Sequence, residues 1–223
     1  IGQLGRDLCE CERDLKMSDL CDKTAVELRR LIGRKDISPV ELMESCITRI
    51  EATDGAVNAV VTRAFDRARK EALHAEKTVL DGEELGLLHG LPVGIKDLEA
   101  TDGIRTTLGS KLYSDHIPNK DQGSVANIRA EGGIIIGKTN TPEFGAGANT
   151  RNLVFGATGN PFAPKKTCGG SSGGSAVALA TGMMPLASGS DYGGSLRTPA
   201  GFCGVVGIRP SPGVVPAEGR PVG

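Results

Sequence analysis

Gly90-Leu91-Pro92-Val93-Gly94-Ile95-Lys96-Asp97 is a short apolar run ending in two charges, and it opens the part of the chain that decides the fold. A run of this length behind a glycine reads as a buried strand. Downstream, Val125–Glu131 reads as a helix. Ile134-Ile135-Ile136 reads as a second buried strand, because consecutive β-branched residues favour the extended state. Gly169–Ser175 then leads into an alanine-rich helix, Ala176–Thr181, and Pro185–Asp191 returns as a strand before Tyr192-Gly193-Gly194-Ser195. Strands alternating with helices predict an α/β domain on a central sheet.

Upstream the signals are mostly helical. Thr24-Ala25-Val26-Glu27 is a capping box, in which hydroxyl and carboxylate each satisfy an orphan backbone N–H. Leu28, Leu31 and Ile32 form one apolar stripe, and Gly33 supplies a stop. A second helix opens at Ser38-Pro39-Val40-Glu41, with proline at the tolerated first position. Its buried face is Met43, Cys46, Ile47 and Ile50, and Ile37 with Leu42 form its staple. Ala56–Thr62 is predicted as a strand and Phe65–Leu80 as a helix. The chain thus divides into three stretches: residues 1–16, a non-native or disordered extension ahead of a candidate start at Met17; residues 17–90, a mainly helical scaffold; and residues 91–223, the core. The core runs out in the proline- and glycine-rich segment Pro210–Gly223, and is therefore expected to be truncated.

Composition excludes several classes. A net charge of −1 with both signs interspersed leaves no nucleic-acid footprint. The six cysteines show no framework spacing, and Cys9-x-Cys11 lacks a second ligand pair, so free thiols in a reducing compartment are expected and no metal. No apolar run approaches the ~18 residues of a membrane span, and the first 20 residues lack the apolar centre of a signal peptide. A cytoplasmic enzyme is the default.

Two short motifs invite a functional reading that their context denies. Gly132–Thr139 matches the phosphate-loop pattern G-x-x-x-x-G-K-T, but three isoleucines occupy the cradle positions and the preceding segment is helical. Gly170-Ser171-Ser172-Gly173-Gly174 fits the G-x-S-x-G turn, whose triad needs a histidine further along the chain. His74, His89 and His116 all precede the serine and read as surface or loop residues; only a histidine beyond residue 223 would restore that order. Without histidine, a serine's base is a lysine held neutral, and Lys96 closes an apolar strand where burial would depress its pKa. Asp97 would oppose that, but strand alternation turns it to the other face.

Gly169–Ser175 together with Gly189-Ser190-Asp191-Tyr192-Gly193-Gly194-Ser195-Leu196-Arg197-Thr198-Pro199-Ala200 resembles the defining motif of the amidase signature family. Ser195 lies 24 residues after Ser171 (195 − 171), matching the family's register. Gly90–Asp97 resembles the family's lysine strand, and Gly137–Asn140 and Gly204–Gly207 are further landmarks. The resemblance implies a large mixed sheet covered by helices, incomplete here at the C-terminus, and a Ser-Ser-Lys triad. Ser195 would be the nucleophile, Ser171 on a cis peptide bond the proton relay, and Lys96 the base. The backbone N–H groups of Tyr192, Gly193, Gly194 and Ser195 would form the oxyanion hole, with Ser172, Asp191 and Arg197 in support. Tyr192 stands where the family more often has a small or aliphatic residue, which implies altered substrate access. The resemblance further implies no cofactor and no metal, a small-molecule amide as substrate, no direct nucleic-acid or membrane partner, and a homodimer. It also covers the glutamine-hydrolysing subunit of transfer-RNA-dependent amidotransferases, with its obligatory partner subunits, and a catalytically inactive fragment. With the reactive residues placed but the pocket unfinished, low turnover is the expectation for these 223 residues.

Because the G-K-T match lies on a predicted strand, ATP and GTP should leave the melting temperature unchanged. A saturable shift of several degrees that Lys138→Ala removes would revive the phosphate-loop reading.

Overall fold

A computed structural model of the chain describes residues 20–215. Cys9, Cys11, Met17, the proposed extension and the last residues of the terminal run lie outside that range.

The first two helices start as their caps dictate. Helix α1 (Ala25–Gly33) carries the full Thr24/Glu27 box. Helix α2 (Pro39–Val57) carries a second box, with Ser38 Oγ accepting from the amides of Val40 and Glu41, each at 3.1 Å. Gly33 sits inside α1 instead of stopping it, and the left-handed turn falls on Lys35 at φ 63°. The strand expected over 56–62 is shorter. Helix α2 continues through Val57, Asn58 ends it in the left-handed conformation at φ 56°, and strand β1 is Val60–Arg63. Asp54 explains the late turn: its buried carboxylate accepts the amides of Ala59 (2.7 Å) and Val60 (3.0 Å), so the helix end loses no backbone partners. Helix α3 (Phe65–Asp81) presents Ala68, Ala72, Ala75 and Val79 inward, and these small side chains let it pack closely on α2.

The central sheet has the order β1–β3–β2–β6. Strand β2 (Pro92–Lys96) runs parallel to β3 (Ile134–Thr139) and to the short β6 (Leu186–Ala187), while β1 pairs antiparallel with β3. The sheet is therefore mixed, and a strand from the first ninety residues forms one of its edges. Every residue of β2 and β3 is buried, as expected of strands covered on both faces. Ile134 and Ile136 face the cluster built by α1, α2 and α3 and by helix α5 (Gly173–Ala180). Val93, Ile95 and Ile135 face a smaller cluster with Ile104 and with Val125 of helix α4 (Gly123–Ala130). A small hairpin, β4 (Arg151–Asn152) with β5 (Gly156–Ala157), and helix α6 (Arg197–Cys203) complete the named elements.

The β2–β3 register carries one irregularity. Val93 pairs with Ile135 but Gly94 pairs with Gly137, so Ile136 is surplus. Such a bulge puts two neighbouring residues on the same face and inverts the alternation beyond it. As a result Lys138 pairs with Ile95 and Thr139 with Lys96.

Helix α5 starts three residues earlier than predicted, at Gly173, because its glycines allow a very close approach. A Cβ on Gly174 would run into the backbone N and O of Asn140 and the O of Ala59. His89, expected at a surface or loop, lies in a turn but is buried, with Nε2 3.0 Å from the carbonyl of Ala75. Among the described residues, no helix is long and apolar enough to cross a membrane. Gly174→Ala should lower stability by about 1–3 kcal/mol or more, since the clash is with backbone. Gly55→Ala, in α2 with open space around it, should raise stability by about 0.4–1 kcal/mol. Thermal melts of the two variants check both signs.

Candidate active site

Lys96 ends β2 on the face that looks toward the start of α5, and it is fully buried. Its Nζ donates to Ser171 Oγ at 2.7 Å, Ser172 Oγ at 2.8 Å and Ser190 Oγ at 2.9 Å. Ser171 and Ser172 are both 2% exposed. They sit where the chain turns into α5, after a cis peptide bond between Gly170 and Ser171. Gly169, at φ +79°, makes that turn, and its carbonyl accepts from the amide and hydroxyl of Thr150. On the neighbouring strand Thr139 Oγ1 lies 2.6 Å from Ser175 Oγ, so β3 and α5 meet through hydroxyls beside the lysine.

The segment predicted as one strand over 185–191 pairs for only two residues, and the reason lies in the site. Ser188 N–H still donates to Gly94 O at 2.8 Å. The next bond is made by a side chain, with Lys96 N–H donating to Ser188 Oγ at 2.9 Å. The backbone after Ser188 is thereby released from the ladder and folds over Ser172. Ser172 Oγ donates to Ser190 O (3.2 Å) and accepts from Ser190 N–H (3.3 Å), while Ser172 N–H donates to Ser195 O (2.9 Å).

Asp191 holds the following turn. Its carboxylate accepts from the amides of Gly194 (2.7 Å), Leu196 (3.3 Å) and Arg197 (3.2 Å), and from the Arg197 guanidinium at 2.9 and 3.1 Å. The hydrogen-bonded Arg197, followed by these amides, holds the Asp191 carboxyl well below the usual carboxylate range. Arg209 closes the far side by donating to Asp191 O at 3.0 Å.

Ser195 is half-buried on this turn and tied to Ser172 through its carbonyl. Among the described residues its hydroxyl makes no hydrogen bond to Ser171 Oγ. The four amides expected at an oxyanion hole are not equivalent. Gly194 N–H is already spent on Asp191, because at φ +100° the glycine turns its amide back into the loop. The amides of Tyr192, Gly193 and Ser195 donate to no other described residue, and Gly193 has open space where a Cβ would stand. Tyr192 is 90% exposed.

The opposite face of the sheet holds a second buried polar cluster. Lys138 Nζ donates to Glu99 O, to Thr101 Oγ1 (2.7 Å) and to Thr106 Oγ1 (3.1 Å). Burial brings the Lys138 amine down to about 8, against the opposing pull of Asp97, Glu99 and Asp121. Asp97 is fully buried here and accepts from Thr107; burial raises its carboxyl despite that bond. The G-K-T lysine is thus a structural donor inside a strand, with its three donor positions occupied.

Sequence reasoning reached Lys96, Ser171 and Ser172 but not Ser190, Ser188 or Glu99. Ser190 carried a signal, a hydroxyl beside the Asp191-Tyr192-Gly193-Gly194 turn. Ser188 and Glu99 carried none, because their partners lie far away in sequence. Among the described residues no group of three or more His, Cys, Asp or Glu could hold a metal ion. A buried lysine amine at 2.7 Å from a serine hydroxyl, next to a turn with three amides that donate to no described residue, has the groups needed to move a proton and to meet an oxyanion.

The Amidase family model matches residues 41–221. The glutamyl-tRNA(Gln) amidotransferase subunit of Alkaliphilus metalliredigens is 45% identical over 194 residues, which cover 87% of this chain and 40% of that protein. An acylamidase of Rhodococcus erythropolis is 42% identical over 193 residues, 86% of this chain and 40% of that one. The crystal structure of a bacterial aryl acylamidase, described as belonging to the amidase signature enzymes, superposes with a TM-score of 0.77 at 40% identity. That match covers 80% of this chain and 37% of the other. The chain therefore spans about 40% of the length of the curated relatives it matches. From lysine strand to serine turn, the chain belongs to the amidase signature family.

Proposed function

We propose that these residues form the reactive part of an amidohydrolase that cleaves a carboxylic amide through an acyl-enzyme on Ser195. The observation that carries this reading is the 2.7 Å contact between Lys96 Nζ and Ser171 Oγ, both buried, beside the turn that bears Ser195. In the neutral state Lys96 takes the Ser171 proton, and Ser171 takes that of Ser195 as its Oγ bonds to the carbonyl carbon. The carbonyl oxygen becomes an oxyanion facing the amides of Tyr192, Gly193 and Ser195. When the C–N bond breaks, the proton returns along the same path to the departing amine. Water then repeats the attack, with the relay running again, and releases the acid. Asp191, pinned by Arg197 and Arg209, keeps the amide-bearing turn in shape. Substrate comes from the open side of the turn, where Tyr192 stands. The apolar groove of about 670 Å³ along β6 is lined by Ser172 and Gly189 but not by Ser171 or Ser195.

A small-molecule amide is the substrate favoured by the likeness to acylamidases. The amidotransferase likeness supports a second reading, in which glutamine is the amide and other subunits receive the ammonia. The four described cysteines are free thiols, in keeping with a reducing, cytoplasmic setting.

The test is fluorophosphonate labelling and amide hydrolysis by the full-length protein. Ser195→Ala should abolish both, and Lys96→Ala should slow them by about 100- to 10,000-fold. Replacing His74, His89 or His116 should leave labelling of folded protein near the parent rate. A folded histidine variant that no longer labels would overturn the lysine mechanism. Hydrolysis of simple anilides without added subunits supports the acylamidase reading; glutaminase activity alone supports the second.

A further inference from the structure

Glu99 is 5% exposed, and both of its carboxylate oxygens are used. Oε1 accepts from Ser188 Oγ at 2.8 Å, and Oε2 accepts from Ser124 Oγ at 3.0 Å, near the start of α4. A serine hydroxyl has one proton. Since Ser188 gives that proton to Glu99, the lone pairs that remain are what meet the Lys96 N–H at 2.9 Å. An ionised carboxylate oxygen can only accept, so it fixes the direction of this bond.

The backbone of Ser188 is held as firmly as its side chain. Its N–H is bonded to Gly94 O (2.8 Å), and its carbonyl accepts from Ser175 Oγ of α5 (2.7 Å). Glu99 itself is anchored by its own N–H to Lys96 O (3.0 Å) and by its carbonyl, which accepts from Lys138 Nζ. A closed hydrogen-bonded circuit therefore links Glu99, Ser188 and the main chain of Lys96. Two residues beyond Ser188 comes Ser190, one of the three hydroxyls on Lys96 Nζ.

We infer that Glu99 is a positioning residue for the reaction: through Ser188 it sets the main chain of Lys96 and the departure of the 188–195 segment from the sheet. The inference rests on the amidohydrolase reading for its kinetic consequence but not for its structural one. Loss of the carboxylate frees the Ser188 hydroxyl to rotate, and a free hydroxyl no longer has to present a lone pair to Lys96. Misplacement of a reacting group by ~1 Å can lower a rate by about a hundredfold.

The experiment compares Glu99→Ala, Glu99→Gln, Ser188→Ala and the Glu99→Ala/Ser188→Ala double variant in the full-length protein. Fluorophosphonate labelling of Ser195 is followed alongside thermal melts. Glu99→Ala and Ser188→Ala should each slow labelling by about 10- to 100-fold. Glu99→Gln can still offer Oε1 to Ser188 and its amide to Ser124, and should recover most of the loss. The double variant should be no slower than the worse single by more than about threefold, because both act in one circuit. A second readout needs no activity: amide hydrogen exchange at Lys96 should accelerate in Glu99→Ala and return toward the parent value in Glu99→Gln. A folded Glu99→Ala that labels at the parent rate would overturn the inference, as would a Glu99→Gln as slow as the alanine variant, or additive losses. If the parent protein itself fails to label at Ser195, the amidohydrolase reading fails. Unchanged Lys96 exchange in Glu99→Ala then still refutes the positioning role, and faster exchange upholds it.

Discussion

A lysine amine with no exposed surface has to be met entirely by protein groups, and in this chain that requirement organises everything around it. Three serine hydroxyls converge on Lys96 Nζ from two separate segments, the start of α5 and the loop after β6. Each hydroxyl is short, so both segments must come to within a side chain's length of the end of β2. This explains why glycine crowds the neighbourhood. At Gly173 a Cβ would collide with Thr150 and Cys168, and at Gly174 with the backbone of Asn140. It also explains why the β2–β6 ladder gives way after two pairs, since a longer β6 would carry Ser190 away along the sheet. The lysine thus decides where the strand ends, and the strand end decides where the serine turn begins.

The charged groups beyond this centre act through geometry as well. Asp191 gathers three amides and a guanidinium into one carboxylate, and the turn it encloses leaves the amides of Tyr192, Gly193 and Ser195 without an acceptor among the described residues. The Gly194 amide is used inside the turn as a consequence of that compactness.

Much of this was legible in the sequence, for identifiable reasons. The capping box at Thr24 and the serine-proline start at Ser38 are local patterns and locate helix starts well. The isoleucine run announced β3 strongly enough to override a literal phosphate-loop match. Lys96, Ser171 and Ser172 stood out because two glycine-rich stretches and a strand-terminal lysine fell in one order. What escaped was decided by tertiary partners. The end of α2 depends on the Asp54 carboxylate reaching Ala59 and Val60, which no propensity at 56–62 reveals. His89 is buried because Gly132 brings its backbone against the imidazole. Glu99 finds Ser188 across 89 positions of chain, and a single glutamate in a polar stretch gives no hint of that.

The surplus residue in β3 bears on how this site can vary between related proteins. Starting from the Pro92–Ile134 pair, an unbroken register would set Lys138 opposite Lys96, with the two side chains on one face about 5 Å apart. Two amines enclosed together could not both stay protonated, and the serines would meet a shared proton instead of one amine. Ile136 prevents this by parity alone: one additional residue turns every later side chain over, and Lys138 goes to the carboxylates behind the sheet. The identity of the residue at 136 is therefore freer than its presence. Exchanges among aliphatic side chains leave the count intact, whereas a one-codon deletion would spare Lys96 and every serine around it and still merge two compartments that the fold keeps apart.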